Sequence, residues 1–237
     1  MPRSVIAVIP ARAGSKGIKF KNKQEINNKS LVEHAVDFAL SLGMFETIVV
    51  SSDIVGLPEV GGLSDKPITW HRRSAFAAAD SASDFDVLLD LREAGLLDGV
   101  AVVAWLRPTS PIRLVEDLRK CLTSDLIEKY GSVRSVTPVP EAYSPFWSGT
   151  INDEGLWMPV IKEAAFEKYY QRHLLPQAYI PNCHFELIKV DKAFDQQKFY
   201  PLPNGGFVTE IRGVDINNQS DLELARREFD LSFNYGV

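Results

Sequence analysis

The stretch that decides the fold lies near the N-terminus, where residues 5–17 read VIAVIPARAGSKG. Residues 5–9 form a short continuous apolar run rich in β-branched side chains, which predicts a strand buried on both faces. Pro10 is expected to end this strand. The small and basic residues that follow, as far as Gly17, predict a loop. The stretch therefore indicates an interior strand with a loop at its C-terminal end.

Strands and helices alternate along much of the remaining chain. Further strands are predicted at residues 47–50, 68–70, 100–106 and 132–136, and helices at 30–40, 83–94 and 116–122. Ser30 and Glu33 have the spacing of a capping box, and Gly43 follows the first helix as a C-cap. This alternation predicts an α/β fold with a mostly parallel sheet. Ligands of such sheets bind beyond the C-terminal ends of the strands.

Composition narrows the class of protein. The 237 residues include 26 Lys and Arg against 31 Asp and Glu, a formal charge of −5 that argues against a nucleic-acid-binding surface. The two cysteines, Cys121 and Cys183, are too few for a disulfide framework and fit a reducing compartment. No apolar run approaches the roughly 18 residues of a membrane span. We therefore expect a cytoplasmic protein that binds neither nucleic acid nor membrane.

The charge is unevenly distributed, because residues 12–23 carry five basic residues and no acidic one. Small residues in this loop allow backbone N–H groups to approach an anion, and Arg12, Lys16 and Lys21 can add charge-assisted hydrogen bonds. A polyphosphate is the natural ligand, although the segment is neither a Walker A loop nor a G-x-G-x-x-G motif. The alternative is a solvated basic loop.

Residues 138–181 differ in composition from the rest of the chain. They contain many prolines and aromatic residues and show no clear alternation of apolar and polar residues. We interpret this region as an excursion from the sheet, either a small subdomain or a dimerisation arm. A long irregular surface loop is the alternative, but aromatic patches of this size usually contact a partner.

The basic loop also carries a family resemblance. Residues 6–22 resemble the A-R-x-x-S-K-G-x-x-x-K-N signature of the CMP-sialic acid synthetase (acylneuraminate cytidylyltransferase) family. Other landmarks of that family follow in order as far as residue 224: Ser51–Asp53, Arg73 before Ala79–Ser83, Arg107–Arg113, Leu175–Pro176, Asn182 and Asp215–Asn217.

The resemblance implies a Rossmann-like nucleotidyltransferase architecture in one domain spanning residues 1–237. It implies an Mg²⁺-dependent reaction of CTP with a nine-carbon 2-keto sugar acid that yields the CMP-sugar and pyrophosphate. It also implies a homodimer, in which an inserted dimerisation subdomain at 138–176 reaches the partner's site. The alternatives are a cytidylyltransferase for another acidic sugar (Kdo-like), a catalytically silent nucleotide-binding homologue, or a purely structural α/β protein.

The resemblance further implies which residues form each part of the site. The nucleotide and its phosphates would contact Arg12, Ala13, Gly14, Ser15, Lys16, Lys21 and Asn22, and the base pocket would be formed by Arg73, Ala82 and Ser83. The sugar would contact Arg107, Thr109, Ser110, Arg172 and Asn182. Asp215 and Asn217 would hold Mg²⁺, and the catalytic group would comprise Arg12, Lys16, Lys21 and Asp215.

Two nearby residues stay ambiguous on sequence alone. Arg113 is expected either to contact substrate or to pair with a structural acid. Asp53 could bind metal, but we expect it to cap the turn that follows it.

The chain departs from the family pattern mainly in the half of the site that would bind the sugar. Arg107 stands where sialic acid enzymes commonly have a glutamine that helps to bind the sugar, and Glu186 stands where a tyrosine is common. In the R-x-N-G motif, Ile180 replaces the arginine and Cys183 the glycine. The Asp-x-Asp pair becomes Asp215 and Asn217, which predicts weaker metal affinity or a different coordination. The basic loop at residues 12–23 keeps the family signature, so we expect the protein to activate a sugar with a nucleotide but to use a changed sugar.

Overall fold

The computed structural model describes residues 4–15, 17–57, 63–162 and 168–234, and Lys16 therefore lies outside the described residues. The strands are β1 (Val5–Ala11), β2 (Glu25–Ile26), β3 (Lys29–Ser30), β4 (Ile48–Ser52), β5 (Thr69–Arg72), β6 (Val102–Trp105), β7 (Ser132–Pro138), β8 (Gly149–Ile151), β9 (Trp157–Pro159), β10 (Tyr179–Lys189) and β11 (Asn204–Val208). The α-helices are α1 (Leu31–Leu42), α2 (Ala75–Ala78), α3 (Asp84–Glu93), α4 (Val115–Thr123), α5 (Leu126–Lys129), α6 (Val190–Gln196) and α7 (Gln219–Asn234).

A seven-stranded sheet in the order β11-β7-β10-β6-β1-β4-β5 forms the centre of the molecule. The pairs β1–β4, β1–β6, β4–β5 and β7–β11 are parallel, whereas β10 runs antiparallel to both β6 and β7. The predicted mostly parallel α/β sheet is confirmed. Strand β10 was not predicted, because its first residues belong to the proline-rich stretch that shows no alternation.

Both faces of β1 are covered, as its apolar run predicts. Ile9 packs in one apolar cluster with Val36 of α1, and Val8 packs in a second cluster with Leu88 of α3. Burying such side chains stabilises the fold by roughly 1.5–3 kcal/mol each. Helices therefore lie on both sides of the sheet and leave its C-terminal edge open for ligands.

The prediction that Pro10 ends the first strand is wrong, because β1 continues to Ala11. The Val8 carbonyl accepts the Leu106 N–H on the β6 side, and the pairing of β1 with β6 stops at Val8. The backbone of Pro10, two residues after Val8, faces the same side of β1 as the backbone of Val8. Strand β6 no longer runs beside β1 at that position. The missing N–H of Pro10 therefore removes no hydrogen bond from the sheet, the position in which proline is tolerated in strands.

The predicted capping residues of α1, Ser30 and Gly43, are confirmed. The Ser30 hydroxyl accepts the Glu33 N–H, and the Glu33 carboxylate accepts the Ser30 N–H, which completes the capping box. Gly43 ends the helix with a left-handed φ of 66°, a conformation that costs glycine little.

The region 138–176 contains the small hairpin of β8 and β9 and exposes several large apolar side chains. Tyr143 is 75% exposed and Ile151 72% exposed. Its role in dimerisation stays a prediction. Among the helices of the described chain, none combines the length and apolarity that crossing a membrane requires.

Candidate active site

A polar cleft of about 280 Å³ lies at the C-terminal edge of the sheet, close to the lower end of the size range for ligand pockets. The loops after β1, β5 and β6 line it together with residues near the bulge of β10 and the segment before α7. Its wall consists of Pro10, Arg12, Gly14, Ser15, Lys21, Asn22, Arg73, Asp84, Arg107, Pro108, Thr109, Cys183, Asp215 and Asn217.

Two side chains hold the loop after β1 in place. The Ala13 N–H donates to the Asp53 carboxylate at 2.7 Å, and the buried Asn22 amide donates to the Arg12 carbonyl at 2.9 Å. Asp53 thus has a structural use, but it braces a different loop from the turn that we expected it to cap. That turn is capped by Ser52, whose hydroxyl accepts the Ile54 N–H at 3.0 Å.

The same loop packs against the segment that carries Asp215. Lys21 donates from Nζ to the Ile216 carbonyl at 2.9 Å. At Gly17 a Cβ atom would overlap the Asn217 carbonyl oxygen, so the close approach requires glycine. Burial lowers the pKa of Lys21 from its usual value, while the nearby Asp215 carboxylate opposes that shift. The fold therefore brings a predicted phosphate-binding cation next to a predicted metal ligand.

Asp215 is held in a defined orientation. Its Oδ1 accepts the Thr109 hydroxyl at 2.7 Å, and its Oδ2 accepts the Asn217 amide at 3.1 Å. In the parts of the chain that the structure describes, no three His, Cys, Asp or Glu side chains gather into a metal-binding group. A single carboxylate beside the predicted phosphate-binding loop is nevertheless compatible with Mg²⁺, which usually takes one or two carboxylates together with waters and substrate phosphates.

Arg73 presents a buried guanidinium to the cleft. Its Nε donates to the Ser51 hydroxyl at 3.1 Å, and Ser51 in turn contacts His71 Nδ1 at 3.0 Å. Burial lowers the pKa of Arg73, and the Asp53 and Asp84 carboxylates oppose that shift. Neither Nη atom makes a hydrogen bond to any described residue, so both remain available to a ligand.

Two carboxylates hold Arg107 at the cleft. Glu186 was identified from the sequence only as a departure from the family pattern, and Asp84 was not assigned to the site. Arg107 donates from Nε to Glu186 Oε2 at 3.0 Å and from Nη2 to Asp84 Oδ2 at 2.6 Å. Burial disfavours the charged guanidinium, but Glu186 and Asp84 outweigh burial and hold the pKa of Arg107 well above its usual value. The only sequence signal for this cluster is the departure from the family pattern at positions 107 and 186.

Arg113 does not line the cleft, and it forms no ion pair with an acid of the described chain, so the structure supports neither expectation for it. It is buried, and it donates to the His184 carbonyl at 2.8 Å and to the Arg107 carbonyl at 2.7 Å. Burial lowers the pKa of Arg113 to about 9. Its role is to fasten the turn after β6 to strand β10.

Several predicted site residues lie outside the wall of the cleft. Ser83 caps α3, where its hydroxyl accepts the Asp86 N–H at 3.2 Å, and Ala82 precedes it. Ser110 is fully buried, so its hydroxyl is not presented to the cleft. Arg172 lies in a short 3-10 turn within the exposed region 138–176.

The remaining predicted residues divide between the cleft and its surroundings. Asn182 donates to the Thr209 hydroxyl at 2.7 Å and lines a neighbouring cavity of about 360 Å³, which shares only Asp215 with the cleft. Ala13 contributes its backbone to the loop. The structure therefore brings together Arg12, Gly14, Ser15, Lys21, Asn22, Arg73, Arg107, Thr109, Asp215 and Asn217.

Cys183 occupies a left-handed backbone conformation, with φ of 60°, within the bulge of β10 between Pro181 and Glu186. This is the position at which the family motif has glycine. Cys183 therefore adopts a backbone conformation that favours glycine although it has a Cβ atom. Burial raises the pKa of the Cys183 thiol to about 11, so the thiol remains protonated at neutral pH.

Replacing Cys183 with glycine is expected to stabilise the protein by about 0.5–1 kcal/mol. A residue with Cβ loses roughly 1–2 kcal/mol in the left-handed region, and the greater freedom of glycine in the unfolded chain offsets part of that gain. Urea denaturation measures the change. Cys183→Ala is the matched control, because it removes the thiol but keeps Cβ. An equal gain in both variants would contradict the backbone explanation.

Comparisons with known proteins agree with this geometry. A family model described as cytidylyltransferase matches residues 6–59, which include the basic loop. The chain is 32% identical over 235 residues to a CMP-N,N'-diacetyllegionaminic acid synthase of Legionella pneumophila, covering 96% of this chain and 97% of that protein. It is also 32% identical over 142 residues to an N-acylneuraminate cytidylyltransferase of Escherichia coli, covering 58% of this chain and 32% of that protein.

A solved structure confirms the architecture. A CMP:2-keto-3-deoxy-manno-octonic acid synthetase complexed with CTP superimposes with a TM-score of 0.69 at 15% identity, covering 97% of this chain and 99% of that one. At this identity the likeness concerns the fold alone, and it confirms the Rossmann-like nucleotidyltransferase architecture. Together with the match to the Legionella protein over nearly its whole length, these findings show that the chain belongs to the CMP-sialic acid synthetase (acylneuraminate cytidylyltransferase) family of nucleotidyltransferases.

Proposed function

We propose that the protein transfers CMP from CTP to the anomeric hydroxyl of a sialic-acid-like 2-keto sugar acid and releases pyrophosphate, with Mg²⁺. The observation that carries this proposal is the meeting of the basic loop with Asp215, in which Lys21 donates to the Ile216 carbonyl. Binding a triphosphate together with a divalent cation requires basic side chains next to a carboxylate. The names of the relatives support a CMP-sugar product.

The reaction requires positioning and charge neutralisation more than covalent catalysis by the protein. The sugar hydroxyl gives up its proton to water, and its oxygen forms a bond to the α-phosphorus of CTP. The bond from that phosphorus to the oxygen that bridges it to the β-phosphorus breaks, so pyrophosphate leaves. Arg12, Lys21 and the backbone N–H groups of the loop would bind the triphosphate and stabilise its developing charge. The two Nη groups of Arg73 can donate hydrogen bonds to acceptor oxygens of the cytosine base or the ribose.

Asp215 would hold Mg²⁺, which would supply charge stabilisation on the phosphates. Thr109 keeps its carboxylate oriented through the hydrogen bond of 2.7 Å. Asn217 can offer only a neutral oxygen, and in the structure its amide nitrogen faces Asp215. We propose that this pair binds Mg²⁺ more weakly than two carboxylates would.

The test is a pyrophosphate-release assay on the purified protein with Mg²⁺, each of CTP, ATP, GTP and UTP, and a panel of 2-keto sugar acids. We expect turnover with CTP and at least one nine-carbon acid. Turnover with an eight-carbon acid alone would establish the Kdo-like alternative instead. Binding of CTP by calorimetry without turnover on any acid would identify a silent homologue, and no nucleotide binding would overturn the proposal.

We also propose that the protein is a homodimer formed through residues 138–176. The exposed apolar side chains of this region, among them Tyr143, Ile151 and Val160, form the kind of surface that is usually covered by a partner. Sedimentation velocity at micromolar concentration measures the assembly directly. A monomer under these conditions would contradict the proposal.

A further inference from the structure

A row of buried polar side chains lies behind Arg73, on the side of that residue away from the cleft. It consists of Ser51 on β4, His71 on β5 and Asp90 on α3, and no member is more than 9% exposed. Ser51 and His71 are paired positions of the neighbouring strands β4 and β5. Arg73 follows His71 by two residues and therefore lies on the same face. Of these four residues, Arg73 alone lines the cleft.

Ser51 joins Arg73 to His71. Arg73 donates from Nε to the Ser51 hydroxyl oxygen at 3.1 Å and to the Ser51 carbonyl at 3.3 Å. The same hydroxyl oxygen lies 3.0 Å from His71 Nδ1. Because the Ser51 oxygen accepts a proton from Arg73, its own proton is available to a second acceptor.

Asp90 determines that His71 Nδ1 is this acceptor. His71 Nε2 lies 3.4 Å from Asp90 Oδ2, and a carboxylate only accepts, so the imidazole proton belongs on Nε2 and the lone pair on Nδ1. Burial lowers the pKa of His71, Asp90 opposes that shift and the Arg73 charge adds to it, which favours the neutral ring. The row therefore has one consistent direction of proton donation, from Arg73 to Ser51 and from Ser51 to His71.

Asp90 also holds the backbone beside Arg73. Its Oδ2 accepts the Ser74 N–H at 3.0 Å, and the Arg73 N–H donates to the Ser52 carbonyl at 3.1 Å. The neighbours of Asp90 on α3, Leu88 and Leu91, are buried in an apolar cluster, where a carboxylate is costly unless it is engaged. The backbone and Nε of Arg73 are thus fixed from within the protein, while both Nη groups make no hydrogen bond to a described residue.

We propose that His71 and Asp90 are positioning residues for the nucleotide, which act through Ser51 to fix the plane of the Arg73 guanidinium. Neither residue touches the ligand. A guanidinium that is already fixed loses less conformational freedom when CTP binds, so the row raises the affinity for CTP. This inference rests on the proposed function, because it requires that Arg73 contacts CTP.

The experiment measures the Kd of CTP by calorimetry with Mg²⁺ present, and it needs no sugar. His71→Leu keeps a buried side chain but leaves the Ser51 hydroxyl without its acceptor, so we expect Kd to rise about 10-fold, the usual size of one lost hydrogen bond. His71→Asn places an amide oxygen near the position of Nδ1 and should stay within about threefold of the wild type.

A double-mutant cycle separates positioning from a general structural role. In the Arg73→Ala background there is no guanidinium to position, so adding His71→Leu should change the Kd of CTP by less than about twofold. CTP retains its phosphate contacts in this background, which keeps its Kd measurable. A histidine that mattered only for folding would weaken binding by the same factor in both backgrounds.

A second variant and a matched control complete the design. Ser51→Ala breaks the same row with a smaller change and should also raise the Kd of CTP about 10-fold, again only when Arg73 is present. His34→Leu removes another partly buried imidazole, whose Nε2 lies 2.8 Å from the Ile26 carbonyl outside the cleft wall, and should leave Kd unchanged. Thermal melting confirms that each variant is folded.

Failure of the inference is distinguishable from failure of the proposed function. If the wild type does not bind CTP, the proposed function fails. If the wild type binds CTP but His71→Leu and Ser51→Ala bind it equally well, or if their losses persist in the Arg73→Ala background, the positioning role of His71 and Asp90 is overturned.

Discussion

Lys21→Ala is expected to lower kcat/KM for CTP by about 100- to 1000-fold, the loss that follows removal of one preorganised charge contact to a reacting group. Nζ of Lys21 lies between the phosphate loop and the Asp215 segment and uses one of its three protons on the Ile216 carbonyl. The other two make no hydrogen bond to a described residue and can bind phosphate oxygens. Steady-state kinetics with varied CTP measure the effect.

Lys19 supplies the matched control for this prediction. It carries the same charge two residues away, but it is exposed and its Nζ lies 5.3 Å from the centre of the Phe20 ring. It does not line the cleft, so Lys19→Ala should change kcat/KM by no more than about twofold. Similar losses in both variants would mean that the loop acts only through its overall positive field.

Asp215→Asn is expected to lower kcat by about 100-fold or more and to raise the Mg²⁺ concentration needed for half-maximal rate. The substitution keeps a polar side chain of the same shape beside Thr109 but removes the carboxylate, so neither side chain proposed to hold Mg²⁺ carries a charge. Magnesium titrations at saturating CTP measure both quantities.

The reverse change at the neighbouring position is the control for Asp215. Asn217→Asp adds a carboxylate and should lower the Mg²⁺ requirement, because the pair then carries two negative charges. If Asp215→Asn retained normal activity with an unchanged Mg²⁺ requirement, the metal-binding role proposed for Asp215 would be abandoned.

Features that depend on neighbouring residues could be predicted from the sequence. The apolar run before Pro10, the capping box of Ser30 and Glu33, and the concentration of charge in residues 12–23 each identify an element without knowledge of the rest of the chain. The family signature also identified Lys21, Arg73 and Asp215 as site residues, and the structure brings all three into one cleft.

Features that depend on contacts between residues far apart in the sequence could not be predicted. Arg107 and Glu186 are separated by 79 positions, and nothing local indicates that they meet. The structural use of Arg113 depends on β10, whose antiparallel insertion the sequence pattern did not reveal. The bulge at Cys183 was also hidden, because its left-handed backbone is not signalled by a cysteine.

The insertion of β10 between β6 and β7 has a consequence for the order in which the chain folds. The strands β1, β4, β5 and β6 are hydrogen-bonded to one another and are complete once residue 105 has been synthesised. Strand β7 pairs in the sheet only with β10 and β11, both of which are synthesised later. During translation both edges of β7 therefore remain unpaired at first. The part of the sheet formed by β7, β10 and β11 assembles only after residues 179–189 have left the ribosome.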